Sequence, residues 1–238
     1  MKNFNINGMC IPEKHYMINM ENKIAWLKKR IYDNNFIYID KPEKYGKTTF
    51  LAELGKSLRE KYSVISINMN QFSTADLKSS NKFSIEFIRQ VVESIVIAKP
   101  DGVELTETEK KYITKWDNRN AKNFQSLAKH INEMCKNHEI VLMIDNANMS
   151  INNSSKVFSD FKIILKAKQT LNRRGETNTF KSVIFAGIYE PGNTDLFYLH
   201  YNPPLGIKMD FNCHLTFHEE EIEKMLIEYQ TDNKTNMA

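Results

Sequence analysis

Four short apolar runs punctuate the chain, over residues 36–39, 64–67, 140–144 and 183–186. They are brief, rich in β-branched side chains and without polar alternation, which predicts strands covered on both faces. A weaker, alternating run over 207–217 predicts a fifth strand. Between the runs the apolar spacing changes to that of helices. Phe50, Leu51, Leu54 and Leu58 share one side of a helix over 48–59. Phe83, Phe87, Val91 and Ile95 make a stripe that reads as core. Phe124, Leu127, Ile131 and Met134 mark a helix before the third strand; Phe158, Phe161, Ile164, Leu165 and Leu171 mark one after it. Two capping-box patterns, Thr106-Glu107-Thr108-Glu109 and Thr216-Phe217-His218-Glu219, predict helix starts, the second with Glu219, Glu220 and Glu221 at the positive end. Strands alternating with helices imply an α/β fold with a mainly parallel sheet, and ligands at the carboxyl ends of its strands.

Composition narrows this further. A chain of 238 residues, 41% hydrophobic and 26% charged, with 8 Gly and 6 Pro, is globular and large enough for one substantial core. Disordered, collagen-like and coiled-coil classes are excluded. The net charge of +4 does not require a nucleic-acid partner. No apolar run approaches the roughly 20 residues that span a bilayer, and the N-terminus lacks a signal-type stretch. The expectation is a cytoplasmic protein without membrane contact. Cys10, Cys135 and Cys213 are far apart and contain no C-x-x-C pair, so reduced, structural thiols are expected.

The chemistry begins after the first strand. Asp40-Lys41-Pro42-Glu43-Lys44-Tyr45-Gly46-Lys47-Thr48-Thr49 leads directly into a helix. Strand, loop and helix start are the context of a phosphate-binding loop, where backbone N–H groups and the helix dipole attract an anion. Gly46 lets the backbone approach phosphates, Lys47 reaches the β- and γ-phosphates, and the Thr48 hydroxyl ligates Mg²⁺. Lys41 stands where the full G-x-x-x-x-G-K-[ST] pattern has its first glycine. The other reading of this stretch is a surface turn that caps a helix. Asp145 ends the third and most hydrophobic strand. A carboxylate there needs a cation or hydrogen bonds to offset its desolvation, which suits the far side of a Mg²⁺ ion. Asn146 follows, where many ATPases of this architecture carry a glutamate that polarises water. An amide orients water but takes no proton at neutral pH. Lys47 and Asn146 are thus the candidate catalytic residues, and Thr48 and Asp145 the candidate metal ligands.

These residues resemble the AAA-ATPase-like family of bacterial proteins, whose loop usually reads Arg-Pro-Arg-Gln-Tyr-Gly-Lys-Thr-Thr. Residues 41–49 are similar to it, and residues 10–17, 180–187 and Tyr201-Asn202-Pro203-Pro204 resemble further family segments. The resemblance implies a three-layer P-loop NTPase fold with a mainly parallel five-stranded sheet in the order 5-1-4-3-2. It implies Mg-ATP as cofactor, with Lys44, Tyr45, Gly46, Lys47, Thr48 and Thr49 around the phosphates and Tyr16 near the adenine. Nothing in the sequence distinguishes ATP from GTP. The family's Asp-Glu-Val-Asp is here Asp145-Asn146-Ala147-Asn148. The expectation is an ATPase-like switch with weak or absent hydrolysis, spanning residues 1–230 with a polar tail over 231–238. The family's helical lid and nuclease-like domain are expected to be absent. The alternative is a decayed NTPase serving as a protein- or nucleic-acid-interaction module; a homo-oligomer fits either, and nucleic acid is not required. A third, minor option is a small-molecule phosphotransferase.

Other residues carry two readings each. Arg173-Arg174 suits either a charge-stabilising arginine or a cation pair at a helix end capped by Gly175. Cys213, His214 and His218 straddle a strand end and a helix start, which does not favour a metal. Tyr189 and Glu190 occupy the position of a γ-phosphate sensor, and His15-Tyr16 either approaches the base or packs the N-terminal segment.

Overall fold

The computed structural model describes residues 2–6, 8–97, 104, 107, 110, 114, 124–147, 156–176, 178–187, 211–212 and 215–234. In chain order its main elements are α1 (Glu21–Tyr32), β1 (Ile37–Asp40), α2 (Lys47–Leu58), β2 (Ser63–Asn68), α3 (Ser80–Ile97), α4 (Phe124–Asn137), β3 (Ile140–Asp145), α5 (Lys156–Arg173), β4 (Ser182–Gly187), β5 (Phe211–Asn212) and α6 (Glu219–Asn233). β2, β3, β4 and β1 lie side by side and parallel, so the four apolar runs form one sheet in the order 1-4-3-2. β5 is two residues long and pairs parallel with Ile37 and Tyr38 on the outer side of β1. Of the remaining residues in the alternating run, 207–210, 213 and 214 lie outside the described residues, and 215–217 are not strand.

The two-residue period of the strands divides the core into two layers. On one face Ile37, Ile39, Val141, Met143 and Ile184 pack under Leu27 and Ile31 of α1 and Phe50, Leu54 and Leu58 of α2. On the other, Ile65, Ile67, Leu142, Ile144, Val183 and Phe185 pack against Phe83, Phe87 and Val91 of α3, Leu127 and Ile131 of α4 and Phe161 and Leu165 of α5. The result is three layers. Each fully buried aliphatic or aromatic side chain contributes about 1.5–3 kcal/mol, which is why the uninterrupted runs become the strands of this sheet.

β2 is an edge strand, and α3 seals it. Ser94 Oγ accepts from the Ser66 N–H at 2.9 Å and donates to the Ser66 carbonyl at 2.8 Å. One turn earlier, Gln90 Oε1 accepts from the Asn68 N–H at 2.6 Å and its amide donates to the Asn68 carbonyl at 3.3 Å. Side chains at i and i+4 thus stand in for a missing neighbour strand and keep this edge from pairing with another chain.

Several expectations need correction. α1 was not among the predicted helices, although Ile24, Leu27 and Ile31 have helical spacing and the last two are buried. The capping box of α6 closes two residues later than the pattern suggested. His218 is the N-cap, and the Glu221 carboxylate accepts its backbone N–H at 2.8 Å. α6 runs from Glu219 to Asn233. In the other pattern, Thr106, Thr108 and Glu109 lie outside the described residues, as do Tyr189, Glu190, Tyr201, Cys213 and His214. No described helix is long and apolar enough to cross a membrane.

Candidate functional site

The parallel register brings the strand ends into one row. Asn68 pairs with Asp145, and Asp40 with Gly187, so the loop after β1 starts beside the ends of β3 and β4. The loop then turns through two left-handed residues, Lys44 at φ 64° and Gly46 at φ 76°. Gly46 is the N-cap of α2, and the Phe50 N–H donates to its carbonyl at 2.8 Å. Glycine suits this φ, whereas Lys44 carries local strain of roughly 1–3 kcal/mol. The N-cap makes no side-chain hydrogen bond, and no acidic residue stands in the first turn of α2. Among the described residues the positive end of the helix dipole therefore has no acidic group of its own helix beside it.

Lys47 is only 8% exposed. Its side chain folds back across the loop, and its Nζ donates to the carbonyls of Lys41 and Pro42, each at 2.6 Å. The ammonium braces the loop from inside, with its charge at the helix start. Thr48 is exposed, and its hydroxyl donates to Asp145 Oδ2 at 2.7 Å. Asp145 Oδ1 accepts the Asn146 N–H at 2.8 Å. These two bonds offset the burial of a carboxylate that is 8% exposed. Thr48 and Asp145, far apart in sequence, thus offer two hard oxygens side by side, a donor set suited to Mg²⁺. Asn146 has φ 54°, a left-handed conformation that asparagine tolerates, and its amide donates to Asn68 Oδ1 at 2.9 Å. The Ala147 N–H then donates to the Ala186 carbonyl at 2.9 Å. A Cβ on Gly187 would lie 2.5 Å from the Ala147 carbonyl oxygen, so glycine is required for this close approach.

The remaining candidates fall elsewhere. Lys44 and Tyr45 are exposed, with Lys41 Nζ 6.0 Å from the centre of the Tyr45 ring. Thr49 is buried, and its Oγ1 accepts the Cys10 N–H at 3.1 Å, which ties the N-terminal segment to α2. Tyr16 is not brought to the loop. Its ring is 3% exposed and packs against Phe4 and Tyr229, and its hydroxyl donates to Asp232 at 3.1 Å and accepts from Asn233. This ring packs the N-terminal segment against α6. His15 Nδ1 accepts the Ile11 N–H at 2.8 Å, a local turn. Arg173 ends α5, and Gly175 follows with φ 77° and donates to the Asn172 carbonyl at 2.9 Å, as in a helix end. Asn68 and Gln90 were missed. The signal for Asn68 was its place, since it ends β2 as Asp145 ends β3.

No family model and no curated protein sequence matches the chain. Solved structures give partial overlaps. A chain of the Drosophila ORC bound to poly(dA/dT) DNA and Cdc6 overlaps with TM-score 0.49 and 11% identity, over 87% of this chain and 30% of that one. The Aeropyrum pernix ORC1 protein in complex with DNA gives 0.48 and 10%, over 91% and 50%. The Aeropyrum pernix ORC2 protein in ADPNP-ADP complexes gives 0.48 and 15%, over 89% and 50%. This chain therefore spans between 30% and 50% of the length of those solved chains, and the reading of its site rests on the geometry above.

Proposed function

We propose that this chain is an AAA-ATPase-like P-loop domain that binds Mg-ATP as a nucleotide-dependent switch, with weak or absent hydrolysis. The observation that carries this reading is the hydrogen bond from Thr48 to Asp145, at the open, positive start of α2. In this reading the first-turn N–H groups of α2 and Lys47 hold the phosphates. Lys44 and Tyr45 flank them, and Thr48 and Asp145 hold Mg²⁺, directly or through water. Bound Mg²⁺ would neutralise charge between the β- and γ-phosphates. β5 would be part of a complete five-stranded sheet in the order 5-1-4-3-2. Weak turnover follows from Asn146, which cannot take a proton and whose amide is already bonded to Asn68.

Thermal melting with and without Mg-ATP tests this reading. A ligand that prefers the folded state stabilises it by about 2.7 kcal/mol at a hundred times its dissociation constant. The expected result is an upward shift that Lys47→Ala and Asp145→Asn each reduce strongly, with little phosphate release in any of them. Competition with GTP reports base preference. A second reading, an interaction module without nucleotide, draws on the Lys47 bonds to Lys41 and Pro42, which leave the loop satisfied by its own lysine. It predicts no shift with any nucleotide.

A further inference from the structure

A cleft of about 340 Å³ runs along α2 on the side facing β2 and α3. Its α2 wall is one helical face, from Thr48 through Ala52 and Gly55 to Arg59, the residue that ends the helix. Eleven residues of helix rise span about 16 Å. Thr48 and Asp145 stand at one end and Arg59 at the other. The volume lies within the range of small-molecule sites.

Arg59 is the unusual member. Among the described residues its buried Nε has no hydrogen-bond partner and its side chain makes no ion pair. Burial alone holds the guanidinium below its ordinary pKa, with no carboxylate acting on it. A guanidinium keeps its charge in a protein, so one with its Nε buried gains from an anion at the cleft. The other charged groups of the cleft are engaged. Glu93 pairs with Arg89, Lys56 pairs with Glu53, and Asp145 accepts from Thr48. Gly55 points the same way. Glycine in a helix interior is disfavoured relative to alanine. Here a Cβ would meet nothing nearer than Met143 Cε at 3.6 Å, so alanine would fit. The missing side chain leaves the wall flat where the cleft needs depth.

We propose that this cleft is a second binding site, for a small molecule with a flat apolar body and a carboxylate or phosphate group held by Arg59. Leu51, Ala52 and Met143 supply apolar wall, and the guanidinium supplies paired donors for the anion. The site does not depend on the nucleotide reading, but it shares Thr48 and Asp145 with it.

Saturation-transfer NMR with phenyl phosphate, benzoate and neutral benzyl alcohol, each at millimolar concentration, tests the proposal. Both anions are expected to give signal well above the alcohol. Arg59→Met and Gly55→Leu should each reduce that signal several-fold, and Lys224→Ala, on the exposed side of α6, should leave it in place. In the empty protein Arg59→Met should raise the melting temperature, because it removes a partly buried cation whose Nε is unsatisfied among the described residues. Four results each overturn the proposal: no signal from either anion, equal signal in Arg59→Met, loss in Lys224→Ala with retention in Arg59→Met, or a lowered melting temperature in Arg59→Met.

Discussion

Asp145 and Asn146 divide one task between a side chain and a backbone. Asp145 ends an entirely buried strand, and its two oxygens are each taken by a donor, the Thr48 hydroxyl and the Asn146 N–H. The second bond comes as the chain turns left-handed at Asn146, with φ 54°. This changes what a substitution would do there. A glutamate would supply a carboxylate at that position. It would also be forced into a conformation that costs most side chains about 1–2 kcal/mol, and it would lose the amide bond to Asn68. Asn146→Glu is therefore expected to lower stability by about 1–3 kcal/mol in chemical denaturation, without a matching gain in phosphate release. Asn146→Gly, which keeps the backbone but not the amide, should lose less. Thr48 and Asp145 were legible in the sequence as the right atoms after buried runs. The left-handed turn at Asn146 and the inward fold of Lys47 were not, because both are set by the path of the loop rather than by residue type.

At the scale of elements, two glycines behave oppositely. Gly187 ends β4 where the chain leaving β3 passes over it, and a Cβ would overlap the Ala147 backbone. Gly187→Ala should cost about 1–3 kcal/mol and displace Ala147 and its neighbour Asn146, so stability and any Mg-nucleotide shift should fall together in thermal melting. Gly55 has room for a methyl group, and Gly55→Ala should stabilise the free protein by about 0.5–1 kcal/mol. The edge of β2 gives a third test. Replacing Gln90 and Ser94 by alanine leaves the N–H and C=O groups of Ser66 and Asn68 without their partners. The double variant should be less stable by about 2 kcal/mol and form larger species in light scattering, as an opened sheet edge does. The strands were readable because continuous apolar runs have few alternatives. α1 was missed although Leu27 and Ile31 share a buried face, since its other positions are mostly polar and charged. The edge seal was invisible as well, because Gln90 and Ser94 interrupt an apolar helix with no local sign of what they face.

Across the whole molecule the two ends of the chain meet, and their meeting reaches the loop. The N-terminal segment packs Phe4 and Tyr16 against Tyr229 of α6, pairs Lys2 with Glu228, and hands the Cys10 N–H to Thr49 of α2. α6 has no fully buried residue, so its attachment depends heavily on such rings and polar bonds. Lys23 of α1 adds an ion pair to Glu221 in the first turn of α6. The hydrogen bond from Lys23, and then that from the His218 backbone, hold the Glu221 carboxyl below its ordinary pKa of 4.5. A carboxyl lowered by folding stabilises the folded state above its unfolded pKa, and that stabilisation is lost as pH falls through the lowered value. The two side chains are 14% and 21% exposed, so solvent screens the pair only in part and its contribution is expected to be about 1 kcal/mol. Glu221→Gln should accordingly be slightly less stable than the parent at pH 7, with the gap narrowing as pH falls below 4.5, when both are unfolded with urea. A gap that persists at low pH would assign the loss to packing at the helix start instead. A gap absent throughout would mean that α6 is held by its rings and its bonds to Lys2 and Tyr16, with the Lys23–Glu221 pair adding nothing to the joint between the N-terminal segment and α6.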